Sequence, residues 1–198
     1  MRRRRRSSGP SLSYIYREKK FHIGMFYDVL TWSFIIVAAI VLGIILVYLF
    51  GIKTSVVGSS MEPNLYNGQE VMINRVAFQF TAPKRGDVIA FRPNGNVNTH
   101  LSVKRVIGVP GDSIQITNGS VYINDEVYKD DVSDDTFDGG VATEKIALGP
   151  DEYFVLGDNR FASEDSRSAN IGNISRSMIE GKVWLHLKYN EESIGVVH

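Results

Sequence analysis

The chain has 198 residues, with 22 Lys and Arg against 22 Asp and Glu, four His and no Cys. The absence of cysteine excludes disulfide frameworks, thiolate zinc sites, iron–sulfur clusters and cysteine nucleophiles, and leaves the compartment open because a domain of this size folds without disulfides. The zero net charge is a cancellation: residues 1–28 carry eight basic and two acidic side chains, a charge of +6, while the other 170 residues carry 14 basic and 20 acidic ones, a charge of −6.

The segment dividing the charges, 29–52, is 24 residues without a charge, dense in Ile, Val, Leu and Phe. As a helix it extends about 36 Å at about 1.5 Å per residue, enough to cross a bilayer. Trp32 and Tyr48 stand near its ends, where amphipathic rings favour the headgroup level, and Gly43 is tolerated within it. It exceeds the apolar region of a cleavable signal peptide, roughly 7–15 residues, so a permanent transmembrane helix is predicted. Arg17, Lys19 and Lys20 flank one side closely and only Lys53 the other. Basic residues near a span stay in the cytoplasm, which predicts a single-pass protein of the cell membrane with its N-terminus inside. The five arginines at 2–6 then meet anionic lipid of the bilayer, and no nucleic acid is expected as a partner. The expected organisation is a basic cytoplasmic tail at 1–28, a transmembrane helix at 29–52 and an extracytoplasmic β catalytic domain at 53–198.

Residues 53–198 show short apolar alternations broken by Gly, Pro, Asn and Asp, the pattern of a mostly β domain. Strands are predicted at 68–74, 87–91, 102–109, 113–117, 120–124, 126–128, 152–156 and 181–188. Between the fourth and fifth, Asn118-Gly119 suits a type I′ hairpin turn. The acid-rich stretch 130–138 lacks the alternating oxygen ligands and distal Glu of a calcium loop and is read as a solvated loop. No metal or nucleotide signature appears, so no metal and no cofactor are expected.

Serine is abundant, so a candidate nucleophile is distinguished by its setting. In Gly58-Ser59-Ser60-Met61-Glu62-Pro63 a glycine allows close backbone approach and Pro63 ends any helical turn. A flexible linker after the span is the alternative reading of the same residues. For a base, His100 and His186 stand in undistinguished contexts, whereas Lys104 lies in an apolar strand beside Arg105. Strict alternation sends one of that pair inward and the other outward. An inward lysine loses its proton or finds a partner, because burial disfavours the charged form, and a neutral lysine can serve as general base to a serine. A lysine snorkelling at the domain edge is the competing reading.

Four segments in order resemble the sequence boxes of bacterial type I signal peptidases, membrane-anchored serine–lysine proteases. They are Ser60-Met61-Glu62-Pro63; Lys84-Arg85-Gly86-Asp87-Val88-Ile89-Ala90-Phe91; Lys104-Arg105-Val106-Ile107-Gly108-Val109-Pro110-Gly111-Asp112; and Gly157-Asp158-Asn159-Arg160 continuing to Ser163-Glu164-Asp165-Ser166-Arg167. The resemblance runs from about residue 30 to the end. It implies a catalytic domain of coiled β-sheets in a compact form, Ser60 as acylating nucleophile and Lys104 as its base. Ser163 corresponds to a hydroxyl that orients the lysine, Asp165 and Arg167 to an ion pair bracing the site, and Asp158 belongs to the same supporting box. The implied substrates are exported preproteins cut after Ala-x-Ala-like signal peptides. Val56, Val57, Met61, Leu65 and Val103 flank the two residues and are the expected pocket walls, with substrate adding as a strand near Val56 and Val103. Asn64 stands where the family usually has Thr, Val109 where it often has Leu, and Gly58 where some members supply an oxyanion-hole hydroxyl. The second oxyanion donor is thus left open, as is the oligomeric state.

Three rivals remain. Self-cleaving repressors share a serine–lysine dyad but carry a DNA-binding helix-turn-helix, for which residues 1–28 are too short. A eukaryotic-type signal peptidase places His where this chain has Lys104. A membrane-anchored binding or assembly module with a silent dyad is the non-enzymatic alternative.

Overall fold

The computed structural model describes residues 23–50, 52–129, 136, 138–189 and 193–197. Most of the predicted basic tail, residues 1–22, and most of the acid-rich stretch, residues 130–135 and 137, lie outside the described residues. The chain separates into two compact units that divide inside the first helix, after Leu42.

Helix α1, Ile23–Phe50, begins six residues before the predicted start and ends two before the predicted end. The charge of Asp28 does not end a helix, because backbone hydrogen bonds run through it regardless of side chain. Within it Gly24–Tyr48 has a mean hydropathy of 2.8 and its side chains lie exposed on every face. A helix apolar all round and unburied by its own protein suits a lipid environment. Its hydroxyls are satisfied internally: Thr31 Oγ1 donates to Tyr27 O at 2.8 Å and Ser33 Oγ to Val29 O at 2.5 Å, as an apolar solvent requires.

The second unit is mostly β, as expected. β1 (Ile52–Ser55), β2 (Glu70–Asn74), β3 (Val88–Phe91), β4 (Ser102–Gly108), β9 (Glu152–Leu156), β10 (Ile174–Ser175) and β11 (Ile179–His186) form one antiparallel sheet in the order β1-β2-β11-β3-β4-β9-β10, with β12 (Gly195–Val196) added to β11. β5 (Ser113–Thr117), β6 (Ser120–Ile123), β7 (Glu126–Tyr128) and β8 (Ile146–Ala147) form a second sheet, β7-β6-β5-β8. Register shifts in β4 and twice in β11 bend the large sheet. All eight predicted strands are present within about two residues. The turn at 118–119 has φ of 51° and 80° at its two central residues, as a type I′ hairpin requires. β1 was not predicted, only its first residue falling within the predicted span, and β8, β10 and β12 are two residues each, too short to show alternation.

Three apolar clusters fill the domain. Val56, Met61, Leu65, Val71, Ile73, Val88, Ala90, Val103 and Val183 form the first. The second joins the small sheet to β4 and β9 through Ile107, Ile114, Ile116, Phe154 and Leu156. In the third, Phe78 of the short helix α2 (Ala77–Phe80) meets Ile89, Phe91, Val106 and Val155. β3 alternates between clusters, Val88 and Ala90 to the first and Ile89 and Phe91 to the third, so the large sheet is covered on both faces.

Phe154 is fully buried where the two sheets meet. Phe154→Ala is expected to lower domain stability by roughly 3–5 kcal/mol through lost transfer energy and an unfilled cavity, measured as a fall in the thermal midpoint of the detergent-solubilised chain.

Candidate active site

β1 and β2 are joined by residues 56–69, an excursion closed at its neck by Val56 N donating to Gln69 O at 2.9 Å and Gly68 N donating to Val56 O at 2.8 Å. Gly58 opens it with φ of 80° and empty space where a Cβ would stand. Its N–H donates to Asn67 Oδ1 at 2.9 Å. Beyond it, Glu62 N donates to Ser59 O and Leu65 N to Met61 O, and the wholly buried Met61 and Leu65 seat this turn in the first apolar cluster. Ser60 is thereby held on a short rigid segment, itself 7% exposed.

Lys104 lies in β4 opposite Ile89 of β3. Its Nζ donates to Ser60 Oγ at 2.7 Å, and the lysine is 6% exposed. Burial pushes its pKa below the ordinary lysine value, against the opposing charges of Asp165, Glu164 and Asp158, which favour the ammonium form. Arg105 does not point outward as alternation led us to expect: it is 3% exposed, because β4 is buried on both faces and Arg105 has a buried partner. Its Nε and Nη2 donate to the two oxygens of Asp158 at 2.8 Å each, and its Nη1 donates to Gly86 O at 2.9 Å.

The segment after β9 closes over the serine. Asn159 N donates to Ser60 O at 3.0 Å. Gly157 fits between the two parts of the site: a Cβ there would collide with both the Ser163 hydroxyl and the Ser60 carbonyl oxygen. Its N–H donates to Asp165 Oδ2 at 3.0 Å. Arg167 grips the same carboxylate in a fork, Nε to Oδ1 at 2.8 Å and Nη2 to Oδ2 at 2.9 Å. Burial alone would raise the pKa of Asp165, but the hydrogen bonds and charge of Arg167, with Ser163 and the Gly157 N–H, hold it below the usual carboxylate range. Ser163 Oγ is buried and makes no well-formed hydrogen bond among the described residues, although it lies close enough to Asp165 to help keep it ionised.

The sequence-based site residues thus fall into one neighbourhood: Ser60 against Lys104, Asp158 on the adjoining Arg105, and Asp165 with Arg167 behind Gly157 and Ser163. Of the expected pocket walls, Val56, Met61, Leu65 and Val103 are 4% exposed or less and sit in the first cluster, whereas Val57 is 63% exposed. Two participants escaped the sequence reading. Ser166, wholly buried, accepts from Val155 N at 3.0 Å and ties the loop to β9. Asn64 donates through Nδ2 to Asp158 Oδ2 at 2.9 Å. Among the described residues no cluster of three or more His, Cys, Asp or Glu could hold a metal ion.

The chain thus combines an apolar helix with a β domain that buries an amine against a serine hydroxyl, and comparison with known proteins gives its family. Residues 29–187 match the model of the signal peptidase, peptidase S26, family. The chain is 33% identical over 161 residues to a signal peptidase I of Bacillus amyloliquefaciens, covering 77% of this chain and 84% of the relative. It is 35% identical over 172 residues to a signal peptidase IB of Staphylococcus aureus strain COL, covering 79% and 87%. A solved signal peptidase I from Enterococcus faecalis V583 is 29% identical with a TM-score of 0.41, over 52% of this chain and 97% of that one. The chain belongs to the signal peptidase family, in the group of signal peptidase I, and is a peptidase.

Because the Asp165 carboxylate is held ionised below its ordinary range, the stability it contributes is present above the unfolded-state pKa, about 3.9, and is lost as pH falls through the lower folded value. The gap in thermal midpoint between the native chain and Asp165→Asn is expected to stay constant from neutral pH to about pH 4, then narrow on further acidification. Unfolding curves of both proteins over that range check this.

Proposed function

We propose that this chain removes the signal peptides of exported preproteins by acylation of Ser60, with Lys104 as general base. The observation that carries the reading is the 2.7 Å contact between Lys104 Nζ and Ser60 Oγ, made by two buried side chains. With the lysine neutral, that contact directs the Ser60 O–H proton at the nitrogen lone pair. As Oγ bonds to the scissile carbonyl carbon, Nζ takes the proton and the carbonyl oxygen becomes the oxyanion. Collapse of the tetrahedral species breaks the C–N bond, and Lys104 returns its proton to the departing amine, the new N-terminus of the mature protein. Water then enters and gives a proton to Lys104 as it attacks the ester carbon; the bond to Ser60 Oγ breaks, Lys104 returns that proton to Oγ, and the signal peptide leaves as the free acid, which ionises in water.

The Ser60 N–H donates to nothing among the described residues, which leaves it for the oxyanion. The Gly58 N–H is already engaged by Asn67 Oδ1. Each oxyanion donor contributes roughly 3–4 kcal/mol to the transition state, so a second donor is to be sought among groups that substrate binding releases. An extended preprotein lying beside the exposed Val57 and the start of β4 near Val103 would add to the sheet as a strand. Ser163, Asp165, Arg167 and Asp158 act as supports: they keep the loop after β9 folded over Ser60 and leave Lys104 no carboxylate within hydrogen-bonding distance among the described residues.

The membrane part of the proposal follows from composition. Helix α1 spans the bilayer, with residues 1–28 in the cytoplasm and 53–198 outside, so that enzyme and membrane-inserted signal peptide meet at one surface. Ser60→Ala and Lys104→Met, both folded, are each expected to abolish cleavage of an Ala-x-Ala precursor, with product mass fixing the cut. Activity should rise with pH as Lys104 loses its proton, through a midpoint below the ordinary lysine value of about 10.4. Precursor cleavage by either variant at the native rate, or a rate flat across that range, would refute the assignment.

A further inference from the structure

We infer that Asn64 is a positioning residue, holding the Ser60 segment in register with Lys104 through the buried carboxylate of Asp158; the inference rests on Ser60 and Lys104 being the reacting pair. Three donors converge on Asp158, two from Arg105 and one from Asn64. The carboxylate is 3% exposed and therefore immobile. Arg105 is the neighbour of Lys104 on β4, so Asp158 is fixed to the strand that carries the amine. Asn64 is four residues beyond Ser60 and ties the serine's own segment to the same carboxylate. The next residue along, Asn159, donates its N–H to the Ser60 carbonyl. Consecutive residues 158 and 159 thus grip the serine segment at both ends.

Between those grips the turn is rigid, with Leu65 N on Met61 O and both side chains in the core. A shift of this turn as a unit would change the Ser60 Oγ–Lys104 Nζ contact, which is 2.7 Å. The Asn64 amide opposes it. An apolar residue in its place leaves Asp158 doubly bonded to Arg105, so no buried charge is orphaned and the fold survives. What is lost is alignment, and misplacement by about 1 Å can cost up to about 100-fold in rate.

The test compares Asn64→Leu, which keeps shape but lacks donors, and Asn64→Thr, which retains one, in the full chain in detergent. Rates are read on an Ala-x-Ala precursor beside Ser60→Ala. The expected result is a fall of about tenfold in kcat for Asn64→Leu, with KM unchanged within about twofold, an unshifted pH midpoint and a thermal midpoint close to native. Asn64→Thr should recover most of the loss. The unshifted midpoint separates alignment from electrostatics, since no charge is altered. Native kcat in Asn64→Leu, no recovery in Asn64→Thr, or a loss explained by unfolding would overturn the inference while a dead Ser60→Ala leaves the reacting pair standing. Cleavage by Ser60→Ala would instead bring down the pair and this role with it.

Discussion

A lysine amine can be kept short of its charge only where water is withheld and no carboxylate is close enough to claim it. The site meets both conditions around Lys104. Three acids, Asp165, Glu164 and Asp158, favour the charged form, and burial outweighs them. Two of the three are paired with guanidinium groups: Asp158 with Arg105 and Asp165 with Arg167, each in a two-point fork. Each arginine therefore completes its own buried ion pair and directs that carboxylate's hydrogen bonds to itself rather than to the amine. A buried ion pair is a poor source of net stability, and its value here lies in what it keeps away from Lys104.

The rest of the domain can be understood as the means of delivering four distant segments to that amine. β4 is covered on both faces, which excludes water from Lys104 and Arg105 alike. The excursion between β1 and β2 is pinned by Met61 and Leu65 from within and by Asn159 and Asn64 from the loop after β9. Gly157 allows that loop to lie against Ser60, because any side chain there would occupy space already held by the Ser60 carbonyl and the Ser163 hydroxyl. The small sheet contributes no side chain to the Ser60–Lys104 contact. It packs on Ile107, Phe154 and Leu156 and stiffens the two strands from which Lys104 and the closing loop emerge.

Much of this was legible in the chain. Of the strands longer than two residues all but β1 were found, and Asn118-Gly119 specified its turn through the positive φ that both residues accept. Lys104 stood out because a charge inside an apolar strand demands an explanation, and four ordered boxes joined it to Ser60. Arg105 was misjudged because alternation presumes one wet face, and β4 has none; its partner Asp158 lies 53 residues away, a pairing that only tertiary structure reveals. Asn64 was taken for a mild departure, since nothing local to Ser60-Met61-Glu62-Pro63 signals a carboxylate 94 residues further on. The two-residue strands carry no periodicity to detect, and the helix start was hidden by treating Asp28 as a boundary.

The separations in sequence that hid these contacts also govern when the site forms. Lys104 meets Ser60 across 44 residues and Arg105 meets Asp158 across 53, closures of the kind that make β domains fold slowly. Until β4 and β9 pair, the amine is solvated and protonated like any surface lysine, and the serine is an ordinary hydroxyl. Folding therefore lowers the proton affinity of the Lys104 amine as it brings Ser60 beside it. The contact between the two side chains is thus a product of long-range pairing and is present in no local stretch of the chain.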